Sequence, residues 1–565
     1  DRHRGGRDDS TANGRHGSDS PSDQGAIRVT PDMVRRATVG DRPALPLVPS
    51  GLWPFVEEVV RVIAAVRSAT LFGVEGHPVT VEVHVSTGLP AFQIVGLPDE
   101  ACRESRDRVR AAMLSSELEW PSSRVTVNLA PTSRRKGGAG LDLAIAIGCL
   151  VARGVIAPEA IEGLSFVAEL GLDGSLRSVS GVAPMVAAMR PTVPVVPVAG
   201  FREAQGVCGD GVRVARTLRE VVDALTAEAP WPRPPDDEYV DDEPSPPDMA
   251  DVRGQPLARL ALEVAAAGAH HLLLVGAPGS GKTMLAQRMP GLLPVLDADD
   301  ALEATMVHSA AGLRLPAGGL VRRPPFRAPH HSSSMVALVG GGSTAVRPGE
   351  VSLATGGVLF LDELGEFAPA VLDSLRQPLE EGVVRIARAR ASATMPARFL
   401  LVAATNPCPC GGGAPGSCEC DEGARMRYLR RLSGPLLDRF DLRVGVDRPA
   451  VDDLLAGSGG EPTAVVARRV AMARARANDR IGMLNSRIAA GRLDSHAPLH
   501  PAARELLRRE LEADRLTGRG YHRVRRVART IADLHDGCEL VTDEHVALAL
   551  RLRVRLRITT RGGFA

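Results

Sequence analysis

The apolar segment Leu272-Leu273-Leu274-Val275 runs directly into Gly276-Ala277-Pro278-Gly279-Ser280-Gly281-Lys282-Thr283. The second segment fits the phosphate-loop pattern G-x-x-x-x-G-K-[ST] at every fixed position, after an apolar strand and before a helix expected to begin near Met284. Its glycines let backbone N–H groups face the phosphates, Lys282 reaches the β and γ phosphates, and Thr283 ligates Mg²⁺. A Gly-rich turn without a ligand is the alternative, which the strand and the helix disfavour. The two segments therefore predict an α/β core that binds ATP and Mg²⁺.

Two further strands supply polar residues for the same site. Gly357-Val358-Leu359-Phe360-Leu361 is followed by Asp362 and Glu363. At a strand end, Asp362 lies beside the metal that Thr283 also holds, and Glu363 polarises the attacking water. Asn406 follows the apolar residues 399–405, at the carboxyl end of a strand, where ligands bind in open α/β sheets. We predict that Glu363 and Asn406 are catalytic; for Asn406 the alternative is a turn residue before Pro407.

The composition excludes several classes of protein. The chain has 565 residues with 68 basic against 67 acidic ones, so its net charge of +1 predicts neither a nucleic-acid nor a membrane partner. No apolar run reaches the roughly 18 residues of a bilayer span. Residues 55–66 contain two glutamates and an arginine where a signal peptide needs an apolar region, so we expect a cytoplasmic location. Since the sequence opens on Asp rather than Met, we expect a partial or mis-started product.

Changes in composition divide the chain into five segments. Residues 1–65 are rich in Asp, Ser, Gly, Arg and Pro and are expected to be a disordered tail. Residues 66–228 show mixed α/β patterns. Residues 229–251 hold eight acidic residues against one basic residue among seven prolines, which is typical of an extended linker. Residues 252–450 alternate apolar strands with helices, as a parallel sheet covered by helices does. Residues 451–565 are helical in pattern.

Local patterns refine this division. Alternating apolar residues at 79–85 predict a strand, residues 104–113 a helix and residues 124–129 another strand. Two prolines in residues 193–198 predict an edge strand at best. Residues 466–565 contain 21 arginines against 11 acidic residues, an excess of about +10 that could follow nucleic-acid phosphates. The alternative for this excess is an ordinary solvated helix face.

Four longer motifs resemble the YifB/ComM family of magnesium-chelatase-like AAA+ proteins over roughly residues 66–560. They are Pro325-Phe326-Arg327-Ala328-Pro329-His330-His331-Ser332, Pro348-Gly349-Glu350-Val351-Ser352-Leu353-Ala354, Ser433-Gly434-Pro435-Leu436-Leu437-Asp438-Arg439-Phe440-Asp441 and Arg526-Val527-Ala528-Arg529-Thr530-Ile531-Ala532-Asp533. The resemblance implies an α/β multi-domain protein. Its parts would be an N-terminal domain similar to the Lon protease domain (S5-type α+β), an AAA+ P-loop α/β core and a C-terminal helical lid.

The resemblance also implies roles for arginines and an assembly. Arg439 would be the arginine finger that completes the ATP site of a neighbouring subunit; the alternative is an ion-pair partner of Asp438 or Asp441. Arg519 resembles the sensor 2 arginine, with Arg526 as the second candidate. A finger that acts on a neighbour implies a homo-oligomeric ring, a hexamer in this family.

The function implied by the resemblance is ATP-driven remodelling of DNA, through helicase-like branch migration in recombination or natural transformation. The main rival is a magnesium-chelatase motor subunit that drives Mg²⁺ insertion into a porphyrin; we expect that subunit to lack the Lon-like domain. A third possibility, a structural ring with idle ATP binding, is disfavoured because the full set of ATP-site residues is present.

The Lon-like domain raises a further alternative, an ATP-dependent protease, which needs a nucleophilic hydroxyl beside a lysine. Gly140 stands where the resemblance requires the serine, and Ser133 is out of register. Gly137 replaces the acidic residue usual after the lysine, so the role of Lys136 is left open. Proteolysis is therefore disfavoured.

Two cysteine pairs follow Asn406 closely, Cys408-Pro409-Cys410 and Cys418-Glu419-Cys420. Four thiols on a short Gly-rich hairpin can form a tetrahedral zinc site, and a reducing cytosol favours metal over disulfide. The C-x-C spacing is tighter than the usual C-x₂₋₄-C. Structural zinc and reduced loop cysteines both remain open at this point.

Overall fold

The computed structural model of the protein describes residues 63–132, 136–235, 244–342, 346–388, 391–412, 418–431, 434–455, 459–535 and 537–554. All of them belong to the compact unit Val60–Ala565, and the other compact unit, Asp1–Val59, lies outside the described residues. Residues 1–62 of the predicted tail, residues 236–243 of the predicted linker and Ser133 also lie outside them.

The N-terminal region, residues 63–235, forms mixed sheets and helices. Its strands are β1 (Ala64–Phe72), β2 (Glu75–Ser86), β3 (Ala91–Val95), β4 (Arg124–Ala130), β5 (Leu164–Phe166), β6 (Glu169–Leu170), β7 (Leu176–Arg177), β8 (Val193–Pro197) and β9 (Arg213–Ala215). Its helices are α1 (Glu100–Ser115), α2 (Asp142–Ala152), α3 (Val182–Ala188), α4 (Phe201–Cys208) and α5 (Leu218–Leu225). The strands predicted at 79–85 and 124–129 and the helix predicted at 104–113 are thereby confirmed.

One helix organises the core of this region. β1, β2, β4 and β3 pair in that order, and α2 packs across the sheet. α2 has ten buried residues among its eleven, all apolar or glycine except Asp142, so it is buried on every side, as a helix inside a core must be. A Cβ at Gly148 would lie 2.5 Å from Val83 Cγ2 of β2, so glycine permits this close approach of helix and sheet.

The edge-strand prediction for residues 193–198 is wrong. β8 lies between β5 and β9 and is parallel to both. The backbone groups of Val193 and Val195 form their hydrogen bonds toward β5. Successive residues of a strand bond to opposite sides, so the missing N–H of Pro194 would face β9 and that of Pro197 would face β5. β9 pairs only from Val195 onward and β5 ends opposite Val195. Neither proline therefore leaves a gap in a ladder.

The central region carries the predicted parallel sheet. Its strands are β10 (Leu272–Val275), β11 (Phe326–Arg327), β12 (Gly340–Gly341), β13 (Arg347–Pro348), β14 (Val358–Leu361), β15 (Val383–Arg388), β16 (Ala391–Pro396), β17 (Leu400–Thr405) and β18 (Leu442–Gly445). Its helices are α6 (Pro256–Gly268), α7 (Lys282–Gln287), α8 (Met289–Leu292), α9 (Ala298–Ala310), α10 (Met335–Val339), α11 (Glu350–Leu353), α12 (Pro369–Ser374), α13 (Arg376–Glu381), α14 (Glu422–Arg431), α15 (Gly434–Leu437) and α16 (Val451–Leu455).

This sheet is parallel throughout, in the order β11-β14-β17-β10-β18. All residues of β10, β14 and β17 are buried, which requires cover on both faces and explains their unbroken apolar sequence. One face packs against α6 and the C-terminal helices, and the other against α10 and α12. The carboxyl ends of β10, β14 and β17 therefore meet at one end of the sheet, here called the phosphate-loop edge.

The C-terminal region is helical, as predicted. Its helices are α17 (Thr463–Ile481), α18 (Leu493–His496), α19 (Pro501–Glu512), α20 (Gly518–His535) and α21 (Asp543–Arg551). Some of its arginines are internal: Arg525 and Arg529 are only 4% and 1% exposed. Arg529 and Arg480 both bind the buried carboxylate of Asp533. Part of the positive excess of this region is thus used inside the fold.

The N-terminal region packs on the central region through α3 and α9. The backbone N–H of Gly181 donates to the Ser309 carbonyl at 2.9 Å, and Ser309 Oγ binds the carboxylate of Glu203. Leu302 and Met306 of α9 pack on the apolar cluster beneath α3. None of the helices in the described parts of the chain combines the length and the apolar character that a bilayer span requires.

Candidate nucleotide-binding site

The phosphate loop lies between β10 and α7. Gly279 and Gly281 have φ angles of +75° and +90°, a left-handed backbone that glycine adopts without strain. α7 begins at Lys282, two residues before the predicted start near Met284. The loop therefore turns onto the first residue of the helix, where free N–H groups and the helix dipole favour an anion.

Lys282 is held over this loop. Its Nζ donates to the carbonyl oxygens of Gly276 at 2.7 Å and Ala277 at 2.9 Å, and to Asn406 Oδ1 at 3.2 Å. Burial lowers the pKa of Lys282, while the nearby carboxylates of Asp362 and Glu363 oppose that change. The structure thus brings together the lysine, the asparagine and both acids that the sequence assigns to one site.

Thr283 and Asp362 form a pair of oxygen donors beside the loop. The Thr283 hydroxyl donates to Asp362 Oδ2 at 2.7 Å, and Asp362 Oδ1 accepts the N–H of Glu363 at 2.9 Å. A hydroxyl and a carboxylate are the hard ligands that Mg²⁺ takes together with phosphate oxygens. Ser280 Oγ, buried in the loop, has no hydrogen-bond partner within the described residues. These donors fit ATP with Mg²⁺.

Glu363 has a partner that the sequence analysis did not identify. His331 Nδ1 lies 3.0 Å from the Glu363 carboxylate. The His331 ring also packs against the tilted ring of His330, at 4.0 Å between ring centroids, and meets the edge of Phe367. Glu363 has φ +50°, a left-handed conformation that is uncommon for a residue with a side chain. His331 follows the short strand β11, which pairs with β14 in parallel, so both residues reach the phosphate-loop edge.

Arg439 lies at the other end of the sheet. It precedes β18, and the N–H of Asp441 donates to the carbonyl of His271, the residue before β10. Since β10 and β18 are parallel, Arg439 lies near the amino end of the strand whose carboxyl end carries the phosphate loop. Its guanidinium pairs with Glu380, and not with either acid that the sequence suggested as the alternative. Burial and three neighbouring arginines lower the pKa of Arg439.

Arg519 lies beside Arg439. Its guanidinium is 3.8 Å from Asp438, and 76% of its side chain is exposed. Arg523, one turn further along α20, binds Asp441 and the carbonyl of Arg439. Residues 438–443 together with Arg519 and Arg523 are here called the arginine edge.

Arg526, the second candidate for the sensor role, takes part in packing within its own chain. Its Nε donates to the carbonyl of Ile488 at 2.8 Å, and burial lowers its pKa. Of the two candidates, only Arg519 extends from the arginine edge into solvent.

The segment aligned with the Lon nucleophile has an apolar environment. A Cβ on Gly140 would meet Val179, Val167 and Met185 at 3.4 to 3.9 Å. Lys136 is 1% exposed, its Nζ donates to the carbonyl of Pro131, and burial lowers its pKa.

The four cysteine side chains converge next to the phosphate loop. All four Sγ atoms of Cys408, Cys410, Cys418 and Cys420 lie within 4.8 Å of one another. Backbone N–H donors, the Gly412 N–H first among them, lower the pKa of Cys410 to about 6. The cysteines described by the structure form no disulfide.

Comparison with known proteins agrees with this geometry. Three family models match in succession: subunit ChlI of Mg-chelatase over residues 81–196, magnesium chelatase subunit ChlI over residues 248–454, and its C-terminal region over residues 460–553. The fold and the site are those of a P-loop nucleotide-binding protein of the AAA+ type.

Similar proteins cover nearly the whole chain. The uncharacterized protein Rv2897c of Mycobacterium tuberculosis is 45% identical over 494 residues, which is 86% of this chain and 97% of that protein. The competence protein ComM of Haemophilus influenzae is 42% identical over 505 residues, or 88% and 98%. The uncharacterized protein YifB of Escherichia coli is 40% identical over 494 residues, or 87% and 97%. The chain belongs to the YifB/ComM family of magnesium-chelatase-like proteins.

Proposed function

We propose that the protein is a ring-forming AAA+ ATPase that couples hydrolysis of ATP to remodelling of DNA, through helicase-like branch migration. The main support for a ring and for hydrolysis is that two sets of residues lie at opposite ends of one parallel sheet. Loop, metal and water-activating residues meet at the phosphate-loop edge, and the arginines that can stabilise a transferring phosphoryl group lie at the arginine edge.

The phosphate-loop edge supports binding and the attack on ATP. Lys282 would exchange its loop carbonyl partners for the β and γ phosphates. Thr283 and Asp362 would hold Mg²⁺, which neutralises charge on the phosphates. Glu363 would take the proton of the attacking water, while Asn406 orients that water or the γ-phosphate. His331, whose Nδ1 lies 3.0 Å from the Glu363 carboxylate, would fix that carboxylate and so position the water.

The position of Arg439 supports a role in a neighbouring subunit. The four residues of β10 span about 13 Å at roughly 3.3 Å per residue, and the phosphate loop extends beyond them. The guanidinium of Arg439, at the amino end of this strand, cannot reach phosphates bound at the carboxyl end in its own chain. In a ring, however, it can meet the loop of the next copy, where a cation stabilises the charge of the transition state. Arg519 would act from the same edge. The hexameric state comes from the family resemblance.

DNA as the substrate has two supports. One is the likeness to a protein named for competence, over 98% of that relative. The other is the set of exposed arginines in the C-terminal region, such as Arg487, Arg492 and Arg504, which could contact phosphates.

The test is ATPase activity of the full chain with four-way-junction DNA, with linear duplex and without DNA. Junction DNA should stimulate hydrolysis, and the stimulation should weaken with salt. Glu363→Gln should bind ATP and lose hydrolysis by about 10²- to 10⁴-fold. If junction DNA neither binds nor stimulates, the DNA part of the proposal fails. If Lys282→Ala hydrolyses ATP like the wild type, the site assignment fails.

A magnesium-chelatase motor subunit remains the second candidate. The N-terminal region does not favour one candidate over the other, because the family model that matches residues 81–196 is itself described as subunit ChlI of Mg-chelatase. The same assay distinguishes them: a chelatase motor would hydrolyse ATP without any response to junction DNA.

A further inference from the structure

Four sulfur atoms form a compact cluster on the loop that follows Asn406. The Sγ atoms of Cys408 and Cys410 are 3.4 Å apart, those of Cys408 and Cys418 3.5 Å, and those of Cys410 and Cys418 3.6 Å. The sulfur of Cys420 completes the group within 4.8 Å and accepts the N–H of Cys410 at 3.4 Å. Each C-x-C pair supplies two sulfurs to one centre.

The three separations among Cys408, Cys410 and Cys418 are close to those around one tetrahedral metal ion. Zinc–sulfur bonds of about 2.3 Å place the sulfurs of a Cys₄ site about 3.8 Å apart. A disulfide would need about 2.05 Å, far shorter than any pair here. The N–H groups of Cys410 and Gly412 point at cluster sulfurs, as do the outer hydrogen bonds that orient thiolate ligands and disperse their charge.

The cluster also touches the nucleotide site. Gly411 lies between the two cysteine pairs, has φ +79°, and bonds its N–H to the carbonyl of Cys408 at 3.0 Å. A Cβ on Gly411 would lie 2.4 Å from Cδ and 2.7 Å from Cγ of Pro278. Pro278 is in the phosphate loop, so the backbone of the cysteine turn packs directly against that loop.

We propose that Cys408, Cys410, Cys418 and Cys420 bind one structural zinc ion, which fixes the turn that supports the phosphate loop at Pro278. The zinc site itself is independent of the proposed action on DNA. Its effect on ATP binding rests on the nucleotide site described above. Zinc is favoured over harder cations because all four ligands are thiolates.

Metal analysis of the purified full chain tests the site. Wild-type protein should contain one zinc per chain, and Co²⁺ substitution should give the intense visible absorption of a tetrahedral thiolate site. Cys410→Ser/Cys418→Ser should lose the zinc, whereas Cys208→Ser, at a half-buried cysteine of α4, should keep it. Folded wild type that stays metal-free after incubation with zinc overturns the proposal, and so does iron as the bound metal.

A glycine pair tests the contact with the loop. Gly411→Ala should keep its zinc but bind a fluorescent ATP analogue severalfold more weakly, because the new Cβ displaces Pro278. Gly482→Ala is the matched control: Gly482 also has a left-handed φ of +67°, but nothing lies within 4 Å of its Cβ position. Equal nucleotide affinity for the two variants would overturn the supporting role of the turn while leaving the zinc site to the metal analysis. DNA is absent from both experiments.

Discussion

The two ends of the parallel sheet differ in how complete they are within one chain. At the phosphate-loop edge, side chains from three strands already bond to one another, as in the contacts of Lys282 with Asn406 and of Thr283 with Asp362. At the arginine edge, the guanidinium of Arg439 lies close to those of other arginines, at the end of the sheet opposite the phosphate loop of the same chain. In the proposed mechanism the first end would bind the nucleotide, and the second would supply a cation to the site of a neighbouring subunit. This difference is what an active site completed between subunits would require, as proposed above.

The largest expected effect is on the rate of ATP hydrolysis, and it distinguishes the arginine edge from the phosphate-loop edge. Arg439→Ala should lower hydrolysis by about 10³-fold or more, as loss of an arginine finger does, and leave ATP affinity unchanged. Lys282→Ala should instead lose affinity. Arg468→Ala, at an exposed arginine of α17, is the control for loss of charge. Steady-state hydrolysis beside binding of an ATP analogue measures both steps. A large loss of affinity in Arg439→Ala would show that the arginine edge is needed within its own chain.

The second prediction concerns acid stability at His271, which lies beside the arginine edge and accepts the Asp441 N–H at its carbonyl. Burial lowers the pKa of His271 from 6.5 to about 4, and its Nδ1 accepts the N–H of Leu401. Asp441 opposes this change, while Arg523 and His270 add to it. His271 therefore binds a proton near pH 6.5 in the unfolded chain but only near pH 4 in the folded protein. The free energy of unfolding is thus full above about pH 6.5 and decreases as the pH falls toward 4. Protonation of His271 lowers the free energy of unfolding by up to about 3 kcal/mol.

The matched variant is His271→Asn, whose Oδ1 can accept the same N–H but does not titrate. Urea unfolding at pH 7 and pH 5 should show a smaller loss of stability on acidification for the variant than for the wild type. His308, whose pKa burial also lowers, contributes equally to both proteins. Parallel losses in the two proteins would assign the acid sensitivity to groups away from the arginine edge.

The smallest expected effect is at His331. His331→Ala should lower the rate of hydrolysis roughly tenfold with ATP affinity unchanged, because Glu363 loses the group that orients it. His330→Ala, which removes the ring packed against His331 but leaves the pair of His331 with Glu363, should cost less. Rate and affinity measured together distinguish this positioning role from general destabilisation, which would change both. An unchanged rate in His331→Ala would place the control of Glu363 elsewhere.

The phosphate-loop edge could be predicted residue by residue. A loop that wraps phosphates requires glycines and a lysine at fixed spacing, and fully buried parallel strands are continuous apolar runs, so both are visible locally. Two things differed: the helix starts two residues earlier than predicted, and His331 beside Glu363 was missed.

The arginine edge and the partner of Glu363 could not be predicted in this way, because they depend on pairings between distant strands. The position of Arg439 follows from the parallel pairing of β18 with β10. The contact of His331 with Glu363 follows from β11, which has two residues and is too short to show a period. The error at β8 has the same origin, since the prolines are tolerated only because its neighbours are short.

Mixing two inactive variants tests the central claim most directly. Lys282→Ala chains keep Arg439 but lose the loop, and Arg439→Ala chains keep the loop but lose the arginine. Reassembled in equal amounts, with mixed rings verified by co-purification of a tag, they should recover about a quarter of wild-type ATPase activity if neighbouring subunits share independent sites. Mixed rings that recover no activity would contradict an active site completed between subunits.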